Sequence, residues 1–257
     1  MLWRILLGYV QAPDVRSAVN AFDSNIIVFF NTFARRSWAF DAFVTTLSNT
    51  DLLKGAVIIA AFVWVWFRNQ EIKTRDREFV VSSLSIALVS VLLARALALS
   101  LPFRERPLHN PALHFQLPYE LNPRSLENWS AFPSDHATIF FAVATGLLFI
   151  SRRAGILALL HAFFVICLPR VYLGLHYPTD IIGGGLLGAG LASLGKIAVM
   201  RTAIARPVLR FMDRYPKLFY PCFFLVAFEV GELFSSVRLL GHLGFAVLKN
   251  SILTLLR

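Results

Sequence analysis

Three short clusters of charged and polar residues stand beside long apolar runs in this sequence. They are Arg104-Glu105-Arg106-Pro107, Pro133-Ser134-Asp135-His136, and the stretch from Arg170 through His176 to Asp180. The planar guanidinium of arginine matches the geometry of phosphate oxygens, and several arginines can offset the charge of a phosphate or diphosphate. A histidine among them can serve as nucleophile or as acid and base. Together the clusters predict a phosphate site with a histidine nucleophile.

The spacing in the third cluster indicates which histidine would attack. His176 and Asp180 lie four residues apart, as on one face of a helix, although Pro178 favours a loop-to-helix junction there. In either geometry, Asp180 can accept a hydrogen bond from one imidazole nitrogen and leave the other free to attack phosphorus. His136 would then be the general acid that protonates the leaving oxygen and, afterwards, the base that activates water.

Ser134 follows a proline and precedes an apolar run, so we expect it to be the N-cap of a helix. The free N–H groups of that first turn would point at a bound anion. Each cluster alone also has a purely structural explanation, as an interface arginine, a helix cap or a hydrogen-bonded pair. Their occurrence together favours the functional interpretation. Two histidines and one or two carboxylates among several arginines form a poor cation site, so we expect no metal and no cofactor.

The apolar runs predict an integral membrane protein. Of the 257 residues 57% are hydrophobic and 24 are Phe, and the mean hydropathy of +0.64 is that of a membrane chain. The runs 137–150 and 154–169 are separated by a short polar turn with two arginines. As a helix, each would cover about 25 Å, close to the thickness of a bilayer core. This hairpin returns His136 and His176 to the same membrane face.

The whole pattern predicts an all-α bundle of about six spans. They are 52–67, 79–101, 137–150, 154–169, 181–199 and 218–234. We divide the chain into an amphipathic N-terminal segment at the membrane interface (1–50), a transmembrane catalytic core (51–199) and a C-terminal part (200–257). The C-terminal part would hold a basic linker, the sixth span and an amphipathic tail.

The formal net charge of +10 predicts the orientation rather than a nucleic-acid partner. No basic run is interleaved with stacking aromatics, so we expect no nucleic-acid binding. Basic residues between the predicted spans gather on one side, in 68–77, 152–153 and 196–217, and this side should be cytoplasmic. The clusters would then face the periplasm or the exterior. Three basic residues of the N-terminal part argue the other way: Arg35, Arg36 and Lys54.

The order Arg-Pro, Pro-Ser-x-His and Arg-x5-His-x3-Asp resembles the type 2 phosphatidic acid phosphatase (PAP2) superfamily over roughly residues 79–195. The resemblance implies an all-α, six-span bundle that hydrolyses a lipid phosphate without a metal. It implies a phosphohistidine at His176, with Asp180 as its orienting partner and His136 as the acid. The phosphate-binding residues implied are Arg106, Ser134 and Arg170.

Two positions depart from the family pattern. The usual lysine, seven residues before the Arg of Arg-Pro, is Leu99 here, and the usual Gly of Pro-Ser-Gly-His is Asp135. Arg104 or Arg95 would replace the lysine. Arg95 lies one helical turn before position 99 and about 6 Å deeper in the membrane. We therefore expect Arg104 to bind phosphate and Arg95 to pair with Asp135 or with a second phosphate.

Pro-Ser-Asp-His without the lysine is similar to the bacitracin-resistance-type undecaprenyl-diphosphate phosphatases. The sequence therefore predicts a lipid phosphatase of the plasma membrane, with membrane lipids as its surroundings and undecaprenyl diphosphate as the leading substrate. Phosphatidic acid, phosphatidylglycerol phosphate and lipid A phosphates are alternative substrates. An anion transporter is the alternative from another class. It would need ionisable residues at the midplane of its spans, where His161 is the main candidate.

Overall fold

The computed structural model describes residues 19–68 and 73–234, and this part of the chain is helical, without a β-strand. Its α-helices are α1 (Ala21–Asn31), α2 (Trp38–Asn49), α3 (Val57–Arg68), α4 (Lys73–Ser100), α5 (Asp135–Ile150), α6 (Arg152–His161), α7 (Leu168–Tyr172), α8 (Pro178–Ser193), α9 (Ala198–Arg214) and α10 (Pro216–Gly231). A π-helical turn (Leu52–Ala56) leads into α3, and another (Ala162–Cys167) joins α6 to α7. The all-α prediction is confirmed. The predicted C-terminal tail, 235–257, lies outside the described residues.

Two helices are long and apolar enough to cross a membrane, Thr74–Ser100 and Arg152–Tyr172. Two bent pairs pass the same criterion together: Trp38–Asn49 with Leu52–Arg68, at 67°, and Pro178–Lys196 with Ala198–Arg214, at 84°. The described residues thus carry two candidate spans, or four if each bent pair is one span. The predicted number of six stays a prediction.

The second bend differs from the straight span predicted over 181–199 and from the linker predicted after it. Helix α8 continues into a short 3-10 helix, Leu194–Lys196. The backbone of Ile197 is extended, and α9 begins at Ala198. An ion pair of 3.3 Å between Arg201 Nε and Glu78 Oε2 ties α9 back onto α4. The basic stretch is therefore a helix that packs against α4 rather than an extended linker.

Helix α5 lies in the centre of the bundle and carries the second cluster at its N-terminus. It packs on α4, α6 and α8, and most of its residues from Ala137 to Leu147 are buried. The contact with α8 depends on glycine. A Cβ atom at Gly188 would lie 2.0 Å from the Thr138 carbonyl oxygen, and one at Gly184 would lie 2.5 Å from that of Ser134. This close approach holds the start of α8 against the start of α5.

Helices α1 and α2 pack against α7 and α8 at the same end of the bundle. The sequence predicted this segment as amphipathic helices at the interface. Two of its carboxylates, Asp23 and Asp41, are completely buried rather than turned to water. Asp41 accepts hydrogen bonds from the Tyr172 hydroxyl and from the backbone N–H groups of Arg35 (3.0 Å) and Tyr119 (2.9 Å). The segment is therefore fastened to the end of the bundle that carries the clusters.

His161, the candidate for transport at the midplane, lies within 3.0 Å of the backbone oxygen of Lys54 through its Nε2. This contact joins α6 to the π-helical turn before α3. It is the helix–helix hydrogen bond that a lone histidine in a span commonly makes.

Candidate active site

The three clusters meet at one end of the bundle, where α5 and α8 begin and α7 ends. Ser134 is the N-cap of α5, as expected, because its hydroxyl accepts a hydrogen bond of 3.4 Å from the Ala137 N–H. The Ser134 N–H donates in turn to the backbone oxygen of Asp180 at 3.2 Å. The two helix starts are thus joined by a main-chain hydrogen bond that brings the second and third clusters together.

His176 is buried, and both of its ring nitrogens have defined neighbours. Nδ1 lies 2.9 Å from the carbonyl oxygen of Ala131, and Nε2 lies 3.2 Å from Nη1 of Arg106. Because a carbonyl oxygen can only accept, Nδ1 carries the proton. The lone pair of Nε2 then faces Arg106, which makes Nε2 the candidate nucleophilic atom.

Asp180 holds this imidazole less directly than the sequence suggested. Its Oδ2 lies 3.6 Å from His176 Nδ1, beyond hydrogen-bond distance, and accepts from the backbone N–H of Tyr177 at 2.7 Å. The carbonyl of Ala131 fills the place that we expected Asp180 to take. Asp180 still contributes a buried negative charge beside the ring.

Arg106 is held by backbone carbonyl groups in a buried position. Its Nε donates to Trp129 O at 3.1 Å, its Nη2 to Ser130 O at 3.2 Å, and its Nη1 to Leu175 O. Burial, and after it the charge of Arg170, lower the pKa of Arg106 to about 10, so it stays cationic at neutral pH. A fixed positive charge therefore points at the candidate nucleophile.

Burial, and after it the charge of Arg106, lower the pKa of His176 to about 4. Asp180 acts in the opposite direction and only partly offsets this change. The imidazole is therefore neutral at pH 7, which is the form that can attack an electrophile.

His136 and Arg170 form the other half of the site. Arg170 Nη2 lies 2.6 Å from Nε2 of His136, and these residues are 34 positions apart in the sequence. Arginine only donates, so Nε2 accepts here. His136 is half-buried and Arg170 is buried. The pair lies at the N-terminus of α5, where anions are favoured.

Asp135 pairs with Arg95, which is one of the two contacts expected for Arg95. The guanidinium of Arg95 also lies over the indole ring of Trp129, 4.3 Å from its centroid. The carboxylate that replaces the usual glycine is thereby offset by a cation from α4. This pairing would offset the repulsion between a carboxylate at this position and a bound phosphate.

Arg104, which we expected to bind phosphate, contacts protein side chains in this structure. Its Nη2 donates to Asp23 Oδ2 at 2.6 Å, and its Nη1 contacts Asp180 Oδ1 and donates to Thr179 Oγ1 at 2.9 Å. Two buried carboxylates therefore hold its guanidinium in place.

Two contributors to this arrangement were not found from the sequence, Asp23 and the carbonyl of Ala131. A carbonyl group leaves no signal in a side-chain pattern. Asp23 follows Asn20 in a helix-capping spacing, which predicts a helix start but no contact with Arg104, 81 positions away. Within the described residues, no group of three or more His, Cys, Asp or Glu side chains is arranged to hold a metal ion.

A family model described as the PAP2 superfamily matches residues 79–203. The matched range begins inside α4 and ends inside α9, so it contains the three clusters but neither α1 nor α2. The resemblance predicted from the motifs is confirmed.

Two curated proteins of Escherichia coli K12 are similar to this chain. A candidate undecaprenyl-diphosphatase, YbjG, is 28% identical over 54% of this chain and 63% of its own length. The lipid A 1-diphosphate synthase is 25% identical over 75% of this chain and 81% of its own length. Other relatives also bear the name undecaprenyl-diphosphatase, and this chain spans less than two thirds of the length of those relatives.

Among solved structures, a transmembrane PAP2-type phosphatidylglycerolphosphate phosphatase from Bacillus subtilis is 22% identical. The likeness covers 76% of this chain and 91% of that one, with a TM-score of 0.45. This score is too low for the two folds to be equated.

The lowered pKa of His176 predicts a pH-dependent contribution to stability. The unfolded chain binds a proton at His176 below about pH 6.5, whereas the folded protein does so only near pH 4. The free energy of unfolding should therefore fall as the pH drops from 6.5 to 4, by up to about 3 kcal/mol from this residue. The measurement is denaturation in detergent across this range for the wild type and for His176→Gln.

His176→Gln should lack this part of the pH dependence. The control is His114→Asn, which removes an exposed histidine of the long loop and should keep the wild-type slope. Equal slopes in the wild type and His176→Gln would contradict a buried, neutral imidazole at this position.

Proposed function

Since the family model of the PAP2 superfamily matches residues 79–203, we propose that this protein is an integral membrane lipid phosphatase with a phosphohistidine intermediate. The observation that carries the proposal is the neutral His176, whose Nδ1 is held by Ala131 O and whose Nε2 faces Arg106. This is the arrangement that an attacking imidazole needs, because one nitrogen is fixed while the other has its lone pair towards an anion site.

The reaction would have two steps. In the first, Nε2 of His176 forms a bond to the terminal phosphorus while the bond from phosphorus to the leaving oxygen breaks. His136, protonated in the substrate complex, donates its proton to that oxygen. In the second step, water attacks phosphorus, His136 takes a proton from this water, and the N–P bond breaks. Phosphate then leaves, and the imidazole is neutral again.

The phosphoryl oxygens would be bound by two arginines and a helix start. Arg106 and Arg170 offer guanidinium groups next to the two histidines, at 3.2 Å and 2.6 Å. A substrate oxygen would take the place of the histidine nitrogens as the acceptor of these N–H groups. The N–H groups of the first turn after Ser134 add an electrostatic contribution that needs no side chain.

We propose undecaprenyl diphosphate as the substrate, with an outward-facing site in the plasma membrane. The relatives named undecaprenyl-diphosphatases support the lipid. The Arg95–Asp135 pair supports a diphosphate, because it adjoins His136, which protonates the leaving group. The leaving group of a diphosphate still carries a phosphate, and Arg95 can bind that charge. Phosphatidic acid, phosphatidylglycerol phosphate and lipid A phosphates are the alternatives in a substrate panel.

Phosphoryl transfer to a lipid is a second candidate function. It is favoured by the similarity to the lipid A 1-diphosphate synthase, which extends over 75% of this chain. The same phosphohistidine would then be attacked by a lipid acceptor instead of water. Release of inorganic phosphate from a diphosphate lipid alone indicates hydrolysis, whereas a requirement for lipid A indicates transfer.

The phosphohistidine predicts a labelled, acid-labile enzyme intermediate at His176. His176→Ala should lose both this label and phosphate release on every lipid phosphate, because the proposed N–P bond is formed by Nε2 of His176. The measurement uses purified protein in detergent, a panel of lipid mono- and diphosphates, and a chelator. The control is His109→Asn, which changes a histidine of the loop between α4 and α5. Activity of His176→Ala within tenfold of the wild type would contradict the nucleophile assignment.

The proposed role of Arg95 predicts that its removal lowers activity on diphosphate lipids more than activity on monophosphate lipids. Arg95→Ala removes one charged contact to the retained phosphate, so kcat/KM for a diphosphate lipid should fall by about 30-fold or more. The value for a matched monophosphate lipid should change only a few-fold. Arg75→Ala, at the opposite end of α4, is the control and should change neither value. Equal losses on both lipids would contradict a site for the second phosphate.

The outward-facing site predicts which engineered cysteines react in intact cells. In a variant without Cys167 and Cys222, Glu127→Cys should react with a membrane-impermeant thiol reagent, and Arg153→Cys should not. Both positions are exposed. Glu127 lies in the loop that carries the first cluster, and Arg153 lies at the start of α6, beside the C-terminal end of α5. The reverse labelling would turn the site to the cytoplasm and exclude a substrate presented outside.

A further inference from the structure

We infer that Asp23, in the N-terminal helix α1, is a positioning residue of the active site that acts through Arg104 on Asp180. This inference rests on the proposed function for its kinetic readout. It extends the functional unit beyond residues 79–203, which the family model matches. The carboxylate of Asp23 accepts hydrogen bonds from Asn20, Arg104 and Thr179, so its effect on the imidazole would pass through these neighbours.

Asp23 is completely buried, and polar groups surround its carboxylate. Oδ2 accepts from Arg104 Nη2 at 2.6 Å, from the Thr179 hydroxyl at 2.5 Å and from Asn20 Nδ2 at 2.8 Å. Oδ1 accepts from the backbone N–H of Thr179 at 2.9 Å. Burying a carboxylate is costly unless it is paired and hydrogen-bonded, and these four donors meet that requirement. The contacts fasten α1 to the start of α8, next to Asp180.

The link from Asp23 to His176 runs through one guanidinium. Arg104 Nη2 binds Asp23, while its Nη1 contacts Asp180 Oδ1 and the Thr179 hydroxyl. Asp180 Oδ2 lies 3.6 Å from Nδ1 of His176. Arg104 can lie against Asp180 in this orientation because Asp23 holds the other edge of its guanidinium. Asp23 therefore fixes the group that fixes the carboxylate beside the nucleophile.

The charges of this group also matter for the reaction. Two buried carboxylates share one guanidinium, so the group Asp23, Arg104 and Asp180 keeps a net negative charge beside the Nδ1–H of His176. When Nε2 bonds to phosphorus, the ring becomes cationic, and this negative charge stabilises it. Without the charge of Asp23, the group would be neutral and would stabilise the cationic ring less. Asp23→Asn should therefore slow the formation of the phosphoenzyme more than it weakens substrate binding.

Asp41 provides a matched comparison within the same segment. It is also completely buried and also fastens a helix of this segment, α2, to the bundle, through Tyr172 and the backbone of Tyr119. Its hydrogen bonds go to groups other than Arg104, Thr179 and Asp180. Asp41→Asn should therefore destabilise the N-terminal segment without acting on the Arg104–Asp180 contact.

The kinetic experiment is a double-mutant cycle on phosphoenzyme formation from a diphosphate lipid. Asp23→Asn should lower kcat by about tenfold or more while KM stays within about threefold. Combined with Arg104→Gln, it should cost clearly less than it does in the wild type, because Asp23 then has no guanidinium through which it can position Asp180. Asp41→Asn combined with Arg104→Gln should instead give the product of the two single effects. Thr179→Val removes one hydroxyl from the group. It should also lower kcat with little change in KM, but by a smaller factor than Asp23→Asn.

A second measurement does not depend on activity. With 15N-labelled histidine, the Nδ1–H resonance of His176 can be assigned by its loss in His176→Gln. Its chemical shift should change in Asp23→Asn and in Arg104→Gln. In Asp41→Asn it should keep the wild-type value. Wild-type kcat in Asp23→Asn, additive effects with Arg104→Gln, or an unshifted resonance would each overturn the inference. A wild type without activity on the lipid panel would overturn the proposed function instead, and the resonance would still decide whether Asp23 positions the site.

Discussion

The site depends on a buried guanidinium that faces a buried imidazole. Arg106 is only 4% exposed, and such a charge is tolerated when its N–H groups are satisfied. Backbone oxygens of Trp129, Ser130 and Leu175 accept from it, and they belong to two loops far apart in the sequence. The arginine therefore joins these loops, and after burial it is the next cause of the lowered pKa of His176. One interaction thus shapes the site and helps to keep its candidate nucleophile neutral.

The remaining charges follow from the same requirement that buried charges be compensated. Asp135 is paired with Arg95, and Asp180 shares Arg104 with Asp23. Each of these carboxylates thus has an arginine as its neighbour. Arg106 has three backbone oxygens and a histidine nitrogen as its acceptors. Neutral acceptors can be exchanged for an anionic oxygen at a gain in electrostatic energy, which favours Arg106 as a phosphate ligand.

The sequence predicted what depends on local spacing. The cap at Ser134, the meeting of the clusters at one end of the bundle and the contact between Arg95 and Asp135 all follow from helix geometry and the lengths of the apolar runs. The partners of Arg104 and the burial of Asp23 did not, because they depend on how α1 packs on α8. The bend after Lys196 was missed for a related reason. The apolar run continues across 181–199, whereas the chain turns at the extended residue Ile197, and the ion pair from Arg201 to Glu78 ties the next helix to α4.

The functional unit that these contacts define is longer than the matched domain. Cutting the chain at residue 79 would remove Asp23 and Asp41, and with them acceptors that serve Arg104, Thr179 and Tyr172. Arg104 would then neutralise Asp180 alone, and the negative charge beside His176 would be lost. A buried charge is tolerated only when neighbouring groups pair with it or donate hydrogen bonds to it. The N-terminal helices therefore contribute to the electrostatics of the site as well as to its stability.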